Sequence, residues 1–116
     1  MNLRSILLSV IISLITNIAF AQIASTDLSG TITNSSASCI PANALRKTLY
    51  IENLFTNTVN VGYCIGAACT AAIGTAGTSI LVPGQSHYWP LYEAPPAQFN
   101  CIAGAASVPI TARSSQ

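Results

Sequence analysis

The residues of this chain with chemistry to offer are few: four cysteines (Cys39, Cys64, Cys69, Cys101), one histidine (His87) and three carboxylates (Asp27, Glu52, Glu93). Any conventional acid–base scheme has to be anchored on His87, whose candidate partners are Ser86, Glu52 and Glu93. Ser86 and His87 are adjacent, and adjacent residues of a strand point to opposite faces, so they make a poor nucleophile and base pair. Gly84-Gln85-Ser86-His87 also lacks the second glycine of a nucleophile elbow. A paired-carboxylate mechanism would need two of three widely scattered acids to meet. No catalytic residue is assigned on these grounds, the chain is not expected to be an enzyme, and His87 is read as a strand histidine on the solvent side.

The cysteines admit two readings. Cys64, Cys69, His87 and Cys101 supply the ligand types of a three-thiolate, one-imidazole zinc site, but the spacings fit poorly, because zinc sites usually pair ligands two to four residues apart and the compartment is oxidising. The C-x-x-C spacing of a redox pair is absent as well. An even number of cysteines in a small exported chain reads instead as two disulfides, for which three connectivities exist. The favoured one joins Cys64 to Cys69, closing the loop Ile65-Gly66-Ala67-Ala68, and Cys39 to Cys101, fastening the start of the domain to its end. Chain entropy gives roughly 2 kcal/mol for the short loop and about 4 kcal/mol for the long one. No metal and no cofactor are expected.

The densest aromatic run is His87-Tyr88-Trp89-Pro90-Leu91-Tyr92. Tyr88, Trp89 and Tyr92 are its candidate contact residues, as a stacking platform for a glycan or peptide or as core and interface anchors. Asn34-Ser35-Ser36 has the form of a glycosylation sequon, which carries meaning only in a eukaryotic source.

The elements that must position these residues begin with an export signal. Met1 to Gln22 opens with basic Arg4, continues as an apolar run from Ile6 to Ile15 and ends in Ala19-Phe20-Ala21, the layout of a signal peptide over residues 1–21 cut before Gln22. Ser9, Ser13, Thr16 and Asn17 interrupt it, against the roughly 20 apolar residues that a membrane span needs. Cleavage would leave 95 residues with three basic groups (Arg46, Lys47, Arg113) balancing the three acids. Such a length supports one domain. Nucleic acid and anionic membrane are not expected partners, since their phosphates require clustered Lys and Arg. A neutral surface of Ser, Thr, Asn and Ala does tolerate self-association or a protein partner.

Residues 22–44 read as an extended lead-in with one edge strand at Leu28 to Thr33, and 45–116 as a β-sandwich core. Leu45 to Asn53 alternates with period two, Leu45, Lys47, Leu49 and Ile51 on one side and Arg46, Thr48, Tyr50 and Glu52 on the other. Val59 to Ile65 alternates likewise, and the two together suggest a hairpin. Gly66 to Gly77, almost all Ala, Gly and Thr, reads as a loop. Short strands follow at Thr78 to Val82, Ser86 to Leu91, Ala97 to Ala103 and Ser107 to Ala112, punctuated by Pro83-Gly84, Pro95-Pro96 and Gly104. Pro109 suggests that the last of these lies at an edge. The expected fold is all-β, a small six- to seven-stranded antiparallel sandwich or barrel, disulfide-stapled, behind an N-terminal signal helix.

Asn43, Arg46, Leu49, Ile51 and Asn53, in the pattern N-x-x-R-x-x-L-x-I-x-N, are followed by Val59-Asn60-Val61-Gly62, by Pro83-Gly84-Gln85-Ser86 with Trp89, and by Ala97 to Ala103. Together they resemble small β-rich accessory proteins of tailed-phage particles and prophages, over most of the chain from about Pro41. The resemblance implies a non-enzymatic structural or attachment module that packs into a repeated assembly. An export signal and four cysteines set this chain apart from that pattern and point to a domain redeployed outside the membrane. The functional expectation is a secreted or periplasmic structural or interaction domain; a small carbohydrate-binding or adhesin-like module using Tyr88, Trp89 and Tyr92 is the alternative.

Overall fold

A computed structural model describes residues 25–116 of the chain, and the export signal read over 1–21 lies outside the described residues. Those residues form nine strands in two antiparallel sheets with no helix: β1 (Ser25–Asp27), β2 (Gly30–Ile32), β3 (Ala37–Ile40), β4 (Thr48–Asn53), β5 (Val61–Ile65), β6 (Ser79–Leu81), β7 (Ser86–Trp89), β8 (Phe99–Ala103) and β9 (Val108–Ser115). The first sheet runs β1-β9-β4-β7, with β2 continuing β1 along the same side of β9; the second runs β3-β8-β5-β6.

Alternation of apolar residues gives each sheet one buried face, and the two faces share a core. Leu49 and Ile51 of β4 with Val108, Ile110 and Ala112 of β9 meet Val61 and Tyr63 of β5, Leu81 of β6 and Phe99, Cys101 and Ala103 of β8. The arrangement is a sandwich of two layers, as the strand grammar anticipates, but with more and shorter strands. Three of them, β1, β2 and β3, come from the segment read as a lead-in with one strand. Their lengths of three or four residues are too short for periodicity to register. Ile32 and Ile40 are nevertheless full members of the core.

Two expectations about pairing are corrected. β4 and β5 are not a hairpin: β4 lies between β9 and β7 in the first sheet, β5 between β8 and β6 in the second. The crossover is held by Asn53, which is fully buried. Its Nδ2 donates to the carbonyls of Val59 (3.0 Å) and Leu81 (2.9 Å), and its Oδ1 accepts from Asn57 Nδ2 (2.7 Å), so one side chain at the end of β4 fixes the loop that leads to the other layer. β9 is interior, not an edge, despite Pro109. The Pro109 carbonyl faces the β4 side, where it accepts from Asn57 Nδ2, and β9 pairs with β4 only from Ile110 onward. The missing N–H therefore falls beyond the end of the neighbouring strand and disrupts no ladder.

Cys39 is bridged to Cys101 and Cys64 to Cys69, the two pairs favoured by the sequence, with Cα separations of 5.6 and 6.2 Å. Cys39 is the extra residue of a bulge: Ser38 pairs with Asn100 and Ile40 with Phe99, leaving Cys39 unpaired in the ladder and turned toward Cys101 on the adjacent strand. Pro83-Gly84 makes the turn between β6 and β7, closed by the Gln85 N–H on the Val82 carbonyl (2.9 Å), and Gly84 takes the positive φ of 84° that a type II turn demands.

Candidate functional site

Strand alternation splits the aromatic run that the sequence groups together. On β7, His87 and Trp89 point toward the core side and Tyr88 points out, opposite Tyr50 of β4; Tyr92 lies in the turn that follows the strand. Trp89 is half-buried and packs edge-on against Phe99 (5.4 Å between ring centroids) and Tyr63 (6.0 Å). The three aromatics therefore do not form one platform, and Trp89 belongs to the core rim.

His87 is not on the outer face either. It stacks on Trp89, with centroids 3.9 Å apart, and its Nδ1 hydrogen-bonds the Tyr63 hydroxyl at 2.7 Å. It remains exposed because β7 is the outermost strand of its sheet and leaves the flank of the sandwich open. Burial pushes the Tyr63 hydroxyl above its ordinary pKa, so at neutral pH it is a neutral donor or acceptor for the imidazole. Ser86 and Glu52 pair across β7 and β4 on the opposite face from His87, and the Glu52 carboxylate is bonded by the Tyr50 hydroxyl. Glu93 sits on the exposed turn, its N–H on the Pro90 carbonyl. All four cysteine sulfurs are in disulfides and none serves as a thiolate ligand.

The two outer faces of the sandwich differ in kind. On the second sheet the Ala-Gly-Thr segment 66–78 folds back as a cover. Asn100 Nδ2 donates to the Cys69 carbonyl (2.7 Å), the Ala71 N–H donates to Ser36 Oγ (2.9 Å), and Ala71, Cys64 and Asn100 are buried beneath. Gly62 leaves room for the cover: a Cβ there would lie 2.8 Å from the Thr78 methyl and 3.3 Å from Ile102. The Cys64–Cys69 bridge pins the base of this cover. Small residues, which cannot build a core layer, suit a flat lid of this kind.

Among the described residues the first sheet has no such cover. Its outer face carries Tyr88, Tyr50, Arg113 and Asp27 in one row across four strands, with Ser86, Glu52 and Thr111 in the next. Tyr88 is 57% exposed. Tyr50 and Tyr88 are a non-hydrogen-bonded pair, because the backbone groups of Asn53, and by alternation those of Ile51 and Leu49, are the ones that face β7. Side chains of such pairs stand closest together. Glu52 raises the Tyr50 pKa by accepting its proton in a hydrogen bond, so the hydroxyl stays protonated well above neutrality. The result is a surface of two phenols bordered by two acids (Asp27 and Glu52), one base (Arg113) and two hydroxyls (Ser86 and Thr111).

The end of the sandwich next to this face is built on Arg46. The alternation groups it with Thr48, Tyr50 and Glu52 on one side of a strand; it is in fact 6% exposed and lies just before β4 begins, while Leu45 is exposed. Its guanidinium donates to the carbonyls of Pro95, Ala97 and Pro41 and lies 5.9 Å from the Phe99 ring. These bonds gather the 41–47 and 90–97 segments, and the Tyr92 N–H completes the join on the Lys47 carbonyl (2.9 Å). Tyr92 takes a left-handed φ of 66° there and is 78% exposed, next to exposed Leu91. A bulky residue in that conformation stores backbone strain, which the surrounding turn must hold in place.

Among the described residues there is no helix long and apolar enough to cross a membrane. No family model, no curated protein and no solved structure matches the chain.

Proposed function

We propose that this chain is a non-enzymatic structural or interaction domain, secreted or periplasmic, whose contact surface is the outer face of the first sheet around Tyr50 and Tyr88. The observation that carries the reading is the asymmetry of the sandwich: a disulfide-pinned lid covers one outer face, while the other presents two paired tyrosines uncovered. Exposed aromatics are enriched at protein contact surfaces. The two disulfides agree with an oxidising compartment, the environment in which such bonds form and persist. A structural or attachment role of phage-derived type is in keeping with a neutral, patch-forming surface.

The second reading is a carbohydrate-binding or adhesin-like module. Tyr50 and Tyr88 favour it, because a flat pair of phenols flanked by Glu52, Arg113 and hydroxyls suits the apolar faces and hydroxyl rims of a neutral sugar chain. Trp89 has no part in this version.

The test is native size-exclusion chromatography of the compartment that holds the protein. The wild type should co-elute with a larger species and return to the position of the purified protein when Tyr50→Ser and Tyr88→Ser are combined, whereas Ile73→Ser on the lid should change nothing. Elution of the wild type at the purified position, or disruption by Ile73→Ser alone, would count against the proposal. Retardation in gels containing neutral polysaccharide, lost in the same double variant, would transfer support to the second reading.

A further inference from the structure

We infer that β7 is a self-complementary edge through which two copies of this chain join their first sheets into one continuous sheet. The inference rests on the interaction-domain reading and names a partner for it, a second copy. The backbone groups of Gln85, His87 and Trp89 face β4, as the Asn53 N–H on the Gln85 carbonyl (3.0 Å) and the register His87 with Ile51 and Trp89 with Leu49 require. Alternation then turns the N–H and C=O of Ser86 and Tyr88 outward, along an edge that no other strand of the described residues borders.

That makes two donors and two acceptors in a row. A two-fold axis at His87 sets Ser86 of each copy opposite Tyr88 of the other and satisfies all of them with four hydrogen bonds. Shifting the axis to Tyr88 would set Ser86 opposite Pro90, which has no N–H to give. The sequence therefore selects one register.

Charge favours like pairing here. A two-fold contact sets each charge near its own copy, so a self-pairing edge must be uncharged, and no Asp, Glu, Lys or Arg occurs from Val82 to Tyr92. The other outermost strands lack this combination: β1 carries Asp27, β3 is broken by the bulge at Cys39, and β2 and β6 are only three residues long. Pairing also explains the open flank. On the inner side the His87–Trp89 stack of one copy would meet that of the other, covering rings that the single chain leaves exposed. On the outer side the tyrosine pairs of both copies would line up on one face.

Sedimentation equilibrium of the purified exported protein tests this. The wild type should show a monomer–dimer equilibrium. Tyr88→Pro removes one outward donor per copy at an edge position where proline is sterically tolerated, and it should weaken dimerisation roughly thirtyfold, the equivalent of about 1 kcal/mol for each of two lost hydrogen bonds. Tyr88→Phe keeps the N–H and should leave the dimer intact. In the wild type, amide exchange at Ser86 and Tyr88 should slow as concentration rises; this measurement decides the matter by itself if Tyr88→Pro does not fold. A wild type that is monomeric to millimolar concentration, a Tyr88→Pro variant as dimeric as the wild type, or exchange at Ser86 and Tyr88 indifferent to concentration would each overturn the pairing. The outer-face reading would then still stand or fall on its own chromatographic test.

Discussion

At the scale of single residues, polar side chains do much of the work of closing this small domain. Arg46 is buried with three carbonyls for partners, and burial lowers its pKa while leaving it charged at neutral pH. Arg46→Met should lower the free energy of unfolding by about 3 kcal/mol, because it strands buried carbonyls as well as losing charge-assisted bonds. Arg46→Lys should recover only part of that, a single ammonium being unable to reproduce the fork; urea unfolding measures both. Tyr63 makes a prediction about pH. Its pKa is raised by burial, so its contribution is fully present below the ordinary tyrosine value of 10.0 and is lost as pH rises through the folded-state value. Melting temperature should hold to about pH 10 and then fall, less steeply in Tyr63→Phe, as calorimetry across an alkaline series would record. Roles of this kind were only partly legible. Arg46 looks like a strand residue and Asn53 like a strand end, because their value lies in carbonyls that loops far along the chain bring to them. The alternation of Ser86-His87-Tyr88-Trp89 does put Trp89 and Tyr88 on opposite faces, but does not say which face is inner: His87 reads as a solvent-side residue, yet it shares the core side with Trp89.

At the scale of elements, the periodic segments and the punctuation between them anticipate β4, β6, β7 and β8 closely, and the Pro83-Gly84 turn is where its dipeptide says it should be. Pairing is less legible, since period two states which face is buried but not which strand is the neighbour. Val59 to Ile65 follows Leu45 to Asn53 at hairpin distance, yet Asn53 sends the chain to the other layer. The two disulfides differ in reach, and their removal should differ accordingly. Replacing Cys39 and Cys101 by Ser should lower stability by about 4 kcal/mol and replacing Cys64 and Cys69 by about 2 kcal/mol, on the loop lengths each closes. The second pair has a local effect too. Its loss, or Asn100→Ala, should release the 66–78 cover and hasten proteolytic cutting within it before global unfolding, a result that timed digestion and peptide mass analysis would show.

At the scale of the whole molecule, the sandwich has a closed side and an open one. The chain spends its small residues and a disulfide on a lid over the second sheet, and leaves tyrosines, an open flank and an unpaired strand edge on the first. Neutral composition foretells that association is tolerated, but not where, because the lid that makes one face unavailable is an Ala-Gly-Thr stretch with no pattern of its own. Oxidative footprinting of the tyrosines in the compartment where the protein resides, compared with the dilute purified protein, tests the proposed contact surface most directly. Labelling of Tyr50 and Tyr88 should drop in place while lid residue Ile73 is labelled equally in both; equal labelling of Tyr50 and Tyr88 in the two states, or protection confined to the lid, would contradict it.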